Sequence, residues 1–278
     1  LIVEDASDVP RRRAAELALM RERTDDAWFT NWRNAVDQVG QITLVCLPHA
    51  GAGASVYARW AALLPPWIDL VGITLPGRES RISESPLTSM DEVISRLGPA
   101  VSARVQEPFA LFGHSLGALI GYELACWLGT RCSAARPELL VVSGRAAPHR
   151  AGRRSGIHEL DDDALLTALH ERYGGIPEAL LGNLELREVF LPALRGDMSI
   201  LERYRFGRRL PAGTDLLVLG ASDDPATTAS ELHASSELTR GSTTVTILPD
   251  GGHFYTQTRP RQVTEAIVDE LVTRTTPW

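Results

Sequence analysis

Lysine is absent from this chain of 278 residues, so all 28 side chains counted as Lys or Arg are arginine. This absence excludes enzymes that depend on a lysine amine, such as Schiff-base aldolases, pyridoxal-phosphate enzymes, P-loop nucleotidases and ordinary protein kinases. Acidic residues outnumber the arginines and give a formal net charge of −7. A net negative charge does not favour binding to nucleic acid, and we expect no nucleic-acid partner.

Cysteine and long hydrophobic runs are also scarce. Cys46, Cys126 and Cys132 form no C-x-x-C pair, and three cysteines cannot make a complete disulfide framework. Reduced thiols in a cytoplasmic protein explain them most simply. No signal peptide is visible, and the most apolar long stretch, residues 109–129, contains a histidine, a serine and a glutamate. We therefore expect a cytoplasmic protein that does not associate with a membrane.

Short apolar runs alternate with helical patterns from residue 42 onward. Most of these runs are rich in β-branched residues and bounded by Gly or Pro, as buried parallel strands are. Strands are predicted at 42–47, 69–74, 109–113, 138–144, 215–220 and 243–248, and helices at 54–64, 88–106, 116–129, 226–239 and 260–273. The alternation predicts an α/β fold with a mostly parallel, doubly wound sheet.

Two segments do not follow this alternation. Residues 1–26 have no strand pattern and suggest a linker, a surface helix or a docking segment ahead of a domain at 27–278. Residues from about 155 to 207 contain helical runs without a convincing strand, which predicts a helical insertion where lids usually lie. Ordinary crossover helices are the alternative, although a crossover needs fewer residues.

The motif with the clearest chemistry is GHSLG at 113–117, which has the form G-x-S-x-G. It follows a predicted strand and begins a predicted helix. A sharp turn between strand and helix lifts the serine hydroxyl above the sheet, and small neighbours make room for it. The start of the helix then offers free amides and a positive dipole end to developing negative charge. Ser115 is the predicted nucleophile.

A nucleophilic serine needs a base and a carboxylate that orients the base, in the chain order Ser, acid, His. His253 lies in a glycine-containing loop after the last predicted strand and is the predicted base. The acid is expected after the strand at 215–220. Asp224 is favoured there, although it could also cap a helix beginning at Pro225, and Asp223 stays open as the alternative.

An oxyanion hole needs two backbone N–H donors. We predict Leu116, which follows the nucleophile, as one of them. The second is predicted to be Ala50, in the small-residue loop PHAGAGA after the first predicted strand. The alternative for this loop is an ordinary glycine turn.

The chain resembles the stand-alone, or type II, thioesterases of polyketide and nonribosomal peptide synthesis. The resemblance runs from about residue 28 to the C-terminus and rests on LVCLPHAGAGAS (44–55), LPGRESR (75–81), GHSLGALIGYELA (113–125), SGRAAP (143–148), YGGIPEALL (173–181), LPALRGDMSILERY (191–204) and GGHFY (251–255). It implies an α/β-hydrolase fold, a helical lid over 155–207, and the roles given above for Ser115, His253, the Asp before Pro225, Leu116 and Ala50. One departure from the family is Gly196-Asp197-Met198, where an acidic-aromatic pair is common.

The activity implied by the resemblance is release of acyl groups from the phosphopantetheine arms of acyl or peptidyl carrier proteins, with no further cofactor and no metal. Alternatives are a chain-releasing or cyclising domain of a synthase, an oxygen esterase of the same fold, and an inert binding module. Carrier domains in such systems are typically acidic, so arginines near the entrance could steer them. The candidates are Arg153, Arg154, Arg203, Arg205, Arg208 and Arg209. Balancing the acidic run at 161–163 is the other explanation for them.

Overall fold

A seven-stranded sheet forms the centre of the part of the chain that the structure describes. The computed structural model describes residues 27–32, 42–131, 136–150, 156–176 and 178–274. Its strands are β1 (Phe29–Trp32), β2 (Ile42–Leu47), β3 (Ile68–Ile73), β4 (Phe109–His114), β5 (Leu139–Ser143), β6 (Leu216–Ala221) and β7 (Thr243–Leu248). They lie in the order β1-β3-β2-β4-β5-β6-β7. Every pair is parallel except β1 with β3, which is antiparallel.

The six predicted strands are confirmed, each within one residue at either end. Strands β2, β4, β5 and β6 are almost wholly buried, because helices cover both faces of the sheet. Strand β1 was not predicted from the sequence. It closes the edge next to β3, and the neighbouring Trp28 is buried with the Arg81 guanidinium 4.1 Å from its ring centre.

Helices pack on both faces and give the sheet two separate cores. They are α1 (Met90–Arg104), α2 (Leu116–Arg131), α3 (Asp162–Tyr173), α4 (Glu178–Gly182), α5 (Leu184–Arg203), α6 (Ala229–His233), α7 (Tyr255–Thr258) and α8 (Pro260–Arg274). Helices α1 and α2 cover one face, while α8 and a 3₁₀ helix at Ala54–Ala62 cover the other. Alternate side chains of β2, such as Leu44 and Val45, enter opposite cores, as strand geometry requires.

Two helical predictions differ in detail from the structure. The segment predicted at 54–64 is a 3₁₀ helix, and the one at 226–239 divides into α6 and a 3₁₀ helix at Ala234–Leu238. Thr228 caps α6 by accepting from the Glu231 amide, while Glu231 reaches back to the Thr228 amide. This capping box starts α6 three residues later than the sequence pattern suggested.

The helical insertion lies between β5 and β6 and comprises the described residues 156–176 and 178–207, with α3, α4 and α5. It has a small core of its own, in which leucines from α3 meet Leu191, Leu194 and Met198 of α5. Its far end is tied to α2, because the Tyr204 hydroxyl donates to buried Glu123 over 2.6 Å.

Three sequence predictions concern residues outside the described part of the chain: the segment 1–26, Cys132, and the pair Arg153 and Arg154. The other two cysteines, Cys46 and Cys126, are buried and unbridged. Across the described ranges, none of the helices combines the length and apolar character needed to span a bilayer.

Candidate active site

The turn between β4 and α2 presents Ser115 in a left-handed backbone conformation, with φ of 54°. Such a φ is costly for any residue that has a Cβ, so it marks a backbone held in place by its surroundings. Two glycines make the turn possible. A Cβ on Gly113 would lie 2.1 Å from the Gly117 carbonyl oxygen, and one on Gly117 would lie 2.0 Å from the Leu47 carbonyl oxygen. The G-x-S-x-G spacing is therefore a steric requirement of this turn.

Ser115, His253 and Asp224 form a continuous hydrogen-bonded line. The Nε2 atom of His253 lies 3.0 Å from the Ser115 Oγ. Its Nδ1 atom lies 3.0 Å from each carboxylate oxygen of Asp224. Because the carboxylate can only accept, Nδ1 carries the proton and Nε2 presents its lone pair to the serine hydroxyl. All three side chains are buried, so water does not compete for these contacts.

The adjacent aspartates have different contacts. Asp224 accepts from the Ala226 amide over 2.8 Å and from the Thr227 hydroxyl over 3.0 Å, in addition to its contact with His253. Exposed Asp223 instead accepts from the amides of Gly251 and Gly252, over 3.2 and 2.9 Å. Asp224 therefore contacts the imidazole itself, whereas Asp223 holds the loop that carries it.

The two predicted oxyanion donors belong to different segments, the start of α2 and the loop after β2. Leu116 is the first residue of α2, so its N–H has no acceptor within the helix. In the loop after β2, the Gly51 amide donates to Asp197 over 2.7 Å and the Ala52 amide donates to the His49 carbonyl over 3.2 Å. Of these three loop amides, only that of Ala50 has no acceptor among the described residues, and Ala50 lines the same cleft as Ser115.

His114 lies beneath the site in a chain of buried hydrogen bonds. Its Nε2 donates to the His253 carbonyl over 2.8 Å, and its Nδ1 lies 3.0 Å from the Ser143 hydroxyl. That hydroxyl is 2.5 Å from the Tyr255 hydroxyl. Desolvation by burial lowers the pKa of His114 well below its usual value, so the ring is neutral and has one donor and one acceptor nitrogen. The chain supports the backbone of His253 from below, a role that the sequence did not predict.

His49 lies at the wall of the cleft. Its Nδ1 donates to the Ala50 carbonyl over 3.0 Å, and its Nε2 accepts from the Gln257 amide over 2.9 Å. Burial lowers its pKa to about 4, so it is neutral over most of the pH range. With both nitrogens engaged, it is not a competing base. His149, His158, His170 and His233 lie on the insertion or the surface, as the sequence suggested.

A cleft opens above Ser115 and His253. Its walls are largely apolar, and most of them belong to the insertion: Leu169, Tyr173, Gly174, Ile176, Leu194 and Met198. The Tyr173 ring packs 4.9 Å from the His253 ring, measured between centres. An apolar cleft that ends at the Ser115 hydroxyl suits an acyl chain better than a charged ligand.

Residues 42–271 match the family model described as "Thioesterase domain". The chain belongs to the thioesterase family. Gramicidin S biosynthesis protein GrsT from Aneurinibacillus migulanus is 32% identical over 244 residues, which cover 88% of this chain and 93% of that protein. The fold and the enzyme class expected from the sequence are thereby confirmed: this thioesterase has the α/β-hydrolase architecture and is a hydrolase that acts on thioesters.

Two solved structures of type II thioesterases are similar to this thioesterase. BorB from the borrelidin biosynthetic cluster superposes with a TM-score of 0.78 at 35% identity, covering 88% of this chain and 98% of BorB. YbtT from the yersiniabactin NRPS/PKS biosynthetic pathway has a TM-score of 0.78 at 28% identity, covering 90% of this chain and all of YbtT (100%). The expected resemblance to type II thioesterases is confirmed by these matches.

Some residues around the site of this thioesterase were not assigned a role from the sequence. Arg78 and Asp197 are buried beside the loop that carries Ala50, and Tyr173 covers His253 from the insertion. Both members of the buried pair lie in segments that supported the family resemblance, LPGRESR and LPALRGDMSILERY. The motifs include both residues, but the contact between them, across 119 positions of sequence, is visible only in the folded structure.

Proposed function

We propose that this thioesterase removes acyl groups from the phosphopantetheine arms of acyl or peptidyl carrier proteins in polyketide or nonribosomal peptide biosynthesis. The observation that carries the proposal is the Ser115–His253 contact of 3.0 Å at the floor of an apolar cleft. The names of GrsT, BorB and YbtT, all from biosynthetic pathways, support the choice of pathway.

In the proposed mechanism, Ser115 is the nucleophile, His253 the general base and Asp224 the group that orients the base. The Ser115 oxygen forms a bond to the thioester carbonyl carbon while its proton moves to Nε2 of His253. As the C–S bond breaks, the imidazolium returns that proton to the departing thiol sulfur. Asp224 stabilises the transient imidazolium, because both of its oxygens lie 3.0 Å from Nδ1.

Deacylation repeats the same proton transfers with water. His253 takes a proton from a water molecule as that oxygen attacks the acyl carbon, and it then protonates the Ser115 oxygen as the ester bond breaks. In both halves the developing oxyanion receives hydrogen bonds from the Ala50 and Leu116 amides. General-base help supplies roughly 10² to 10⁴-fold, and each oxyanion donor roughly 10² to 10³-fold. This mechanism involves no cofactor or metal beyond the arm that carries the substrate.

The insertion serves as the acyl-binding lid in this proposal. Leu169, Leu194 and Met198 offer apolar contact to the acyl chain, and Tyr173 closes the cleft over His253. Shielding the site from water strengthens the interactions that stabilise the oxyanion. We propose that the reaction takes place in the cytoplasm, and the buried, unbridged Cys46 and Cys126 support this location.

Carrier docking is proposed at the arginines that follow the lid. Arg203, Arg205, Arg208 and Arg209 are all exposed, and of these Arg208 lies near a carboxylate, 4.0 Å from Glu123. An acidic carrier would be attracted to this group, and the attraction would weaken as salt increases. Reversing the charges of Arg205 and Arg209 should lower kcat/KM for carrier-bound substrate and leave a small thiol ester unaffected. A rate on the carrier that stays unchanged and equally salt-dependent would refute this docking site.

The decisive experiment is intact-mass detection of an acyl adduct on Ser115, across a panel of carrier-bound acyl chains, with product identification. Ser115→Ala is the matched control and should acquire no adduct. Free acid as product supports hydrolysis, whereas a cyclic or amide product supports the chain-releasing alternative. Faster turnover of oxygen esters than of matched thioesters would favour an esterase, and the absence of any adduct would favour an inert binding module.

A further inference from the structure

A buried ion pair joins the insertion to the core next to the cleft. Arg78, after β3, donates from both terminal nitrogens to the Asp197 carboxylate of α5, over 2.6 and 2.9 Å. The exposed fractions of the two side chains are 4% and 0%. This bidentate geometry fixes the carboxylate in orientation as well as in position.

The same two side chains hold the loop that carries Ala50. The Asp197 Oδ2 atom, which accepts from Arg78, also accepts from the Gly51 amide over 2.7 Å. Arg78 in turn donates to the Ala52 carbonyl over 3.3 Å. The peptide units on the C-terminal side of Ala50 are therefore fixed by one donor and one acceptor from the pair.

Asp197 shares a helix face with two residues that line the cleft. Leu194, Asp197 and Met198 have the i, i+3, i+4 spacing that places side chains on one side of a helix. Leu194 and Met198 form the wall above Ser115. Leu194 also packs against the loop, because a Cβ added to Gly51 would lie 3.2 Å from its Cδ1. One face of α5 therefore contacts both the cleft and the loop that carries Ala50.

Stability alone does not account for this pair. Removing two charges from water costs about as much as their attraction returns, and apolar replacements of similar volume are often neutral or stabilising. The exposed ion pairs of the insertion, such as Arg195 with Asp162 over 2.7 Å, involve no atom of the loop that carries Ala50. The pair of Arg78 and Asp197 differs because it combines complete burial with direct contacts to the backbone beside Ala50.

We propose that Asp197, held by Arg78, is a positioning residue that keeps the Ala50 amide directed at the oxyanion and so couples the lid helix α5 to catalysis. The inference rests on the proposed function, since it assigns the Ala50 amide to the oxyanion hole. Asp197 does not touch the reacting atoms and acts through the Gly51 amide.

Three variants distinguish positioning from folding. Asp197→Asn keeps one acceptor but sets an amide NH₂ against an Arg78 donor, where the native contact measures 2.9 Å. Arg78→Met combined with Asp197→Leu replaces the pair by apolar side chains, which preserves packing and removes the acceptor of the Gly51 amide. Asp162→Asn is the matched control, because it makes the same substitution in another ion pair of the insertion.

We expect kcat for a small acyl thioester to fall about tenfold in Asp197→Asn and about 10²-fold in the double variant, toward the loss of a complete oxyanion donor. KM should stay within about twofold, because the walls of the acyl site are retained. Affinity for an alkyl boronic acid should fall in parallel with kcat. In that adduct the Ser115 oxygen donates an electron pair to boron, its proton moves to His253, and a boron-bound oxygen lies at the two amides.

If the pair had only a structural role, every variant with the thermal stability of the wild type would also have the kcat of the wild type. The proposal is overturned if the double variant unfolds at the wild-type temperature and turns over at the wild-type rate. It is also overturned if Asp162→Asn loses as much kcat as Asp197→Asn. Wild-type turnover is measured first, so a wild-type enzyme inactive on thioesters refutes the proposed function rather than the positioning role.

Discussion

Replacing Asp224 by Asn tests the proposed triad at its carboxylate. Both oxygens of Asp224 lie 3.0 Å from Nδ1 of His253, so an amide must place its NH₂ group near the imidazole whichever way it turns. The Ala226 amide and the Thr227 hydroxyl occupy the remaining acceptor sites. The exposed fraction of the Asp224 side chain is 0%, so in the variant no water can reach this position to stabilise the imidazolium.

The expected loss follows from the charge pair that forms during the reaction. Opposite unit charges about 4 Å apart interact by about 4 kcal/mol at an effective dielectric constant of about 20. Since about 1.4 kcal/mol corresponds to tenfold in rate, Asp224→Asn should lower kcat by about 10³-fold. KM should change little, because Asp224 is separated from the acyl site by His253.

The assay is thiol release from an acyl thioester at saturating substrate, with thermal unfolding to confirm that each variant is folded. Asp223→Asn is the matched control, since it makes the same change one residue away. It weakens hydrogen bonds to two loop amides at an exposed position, and we expect less than about tenfold loss. Equal losses in the two variants, or a loss below tenfold in Asp224→Asn, would refute the assigned roles.

Three further predictions concern the turn and the cleft wall. Ser115→Gly and Ser115→Ala should both abolish turnover, but the glycine variant should be more stable by about 1 kcal/mol in denaturant titration, because φ of 54° disfavours a Cβ. Gly117→Ala should destabilise by about 3 kcal/mol or prevent folding, measured the same way, since its Cβ would lie 2.0 Å from the Leu47 carbonyl oxygen. The pKa of His49 falls on folding from 6.5 to about 4, so the unfolded chain binds more protons between these values and stability drops as pH falls through this window. His49→Gln should reduce the loss of unfolding free energy between pH 6.5 and 4 by about 2 kcal/mol, allowing for the partial exposure of the ring. An unchanged loss would contradict the lowered pKa of His49.

Much of the fold was predictable because the central strands are buried on both faces. Such strands appear as continuous apolar runs, and their ends in the structure agree with the sequence prediction within one residue. Strand β1 escaped prediction because it is short, lies at an edge and includes Thr30 and Asn31, so it has no apolar run. The 3₁₀ helix at Ala54–Ala62 was predicted as an ordinary helix, since sequence periodicity does not separate the two types over so few turns.

In the candidate site, the residues placed by a local motif were also predictable, whereas contacts between distant segments were not. GHSLG specifies a local turn, and the loop after β7 specifies the place of His253, so both were predictable. The sequence favoured Asp224 without excluding Asp223, because the two lie in one loop and both accept from backbone amides. Arg78 and Asp197 meet through the packing of the insertion on the core, which sequence spacing does not encode.

The direction of β1 decides where the described chain enters the sheet. Because β1 is antiparallel, Phe29 lies opposite Ile73, near the carboxyl end of β3 and on the same edge of the sheet as Ser115. Three interstrand steps separate β1 from β4, or about 14 Å. The described chain therefore enters the sheet at the edge that holds Ser115. A parallel β1 would have placed this entry at the opposite edge of the sheet, away from the cleft.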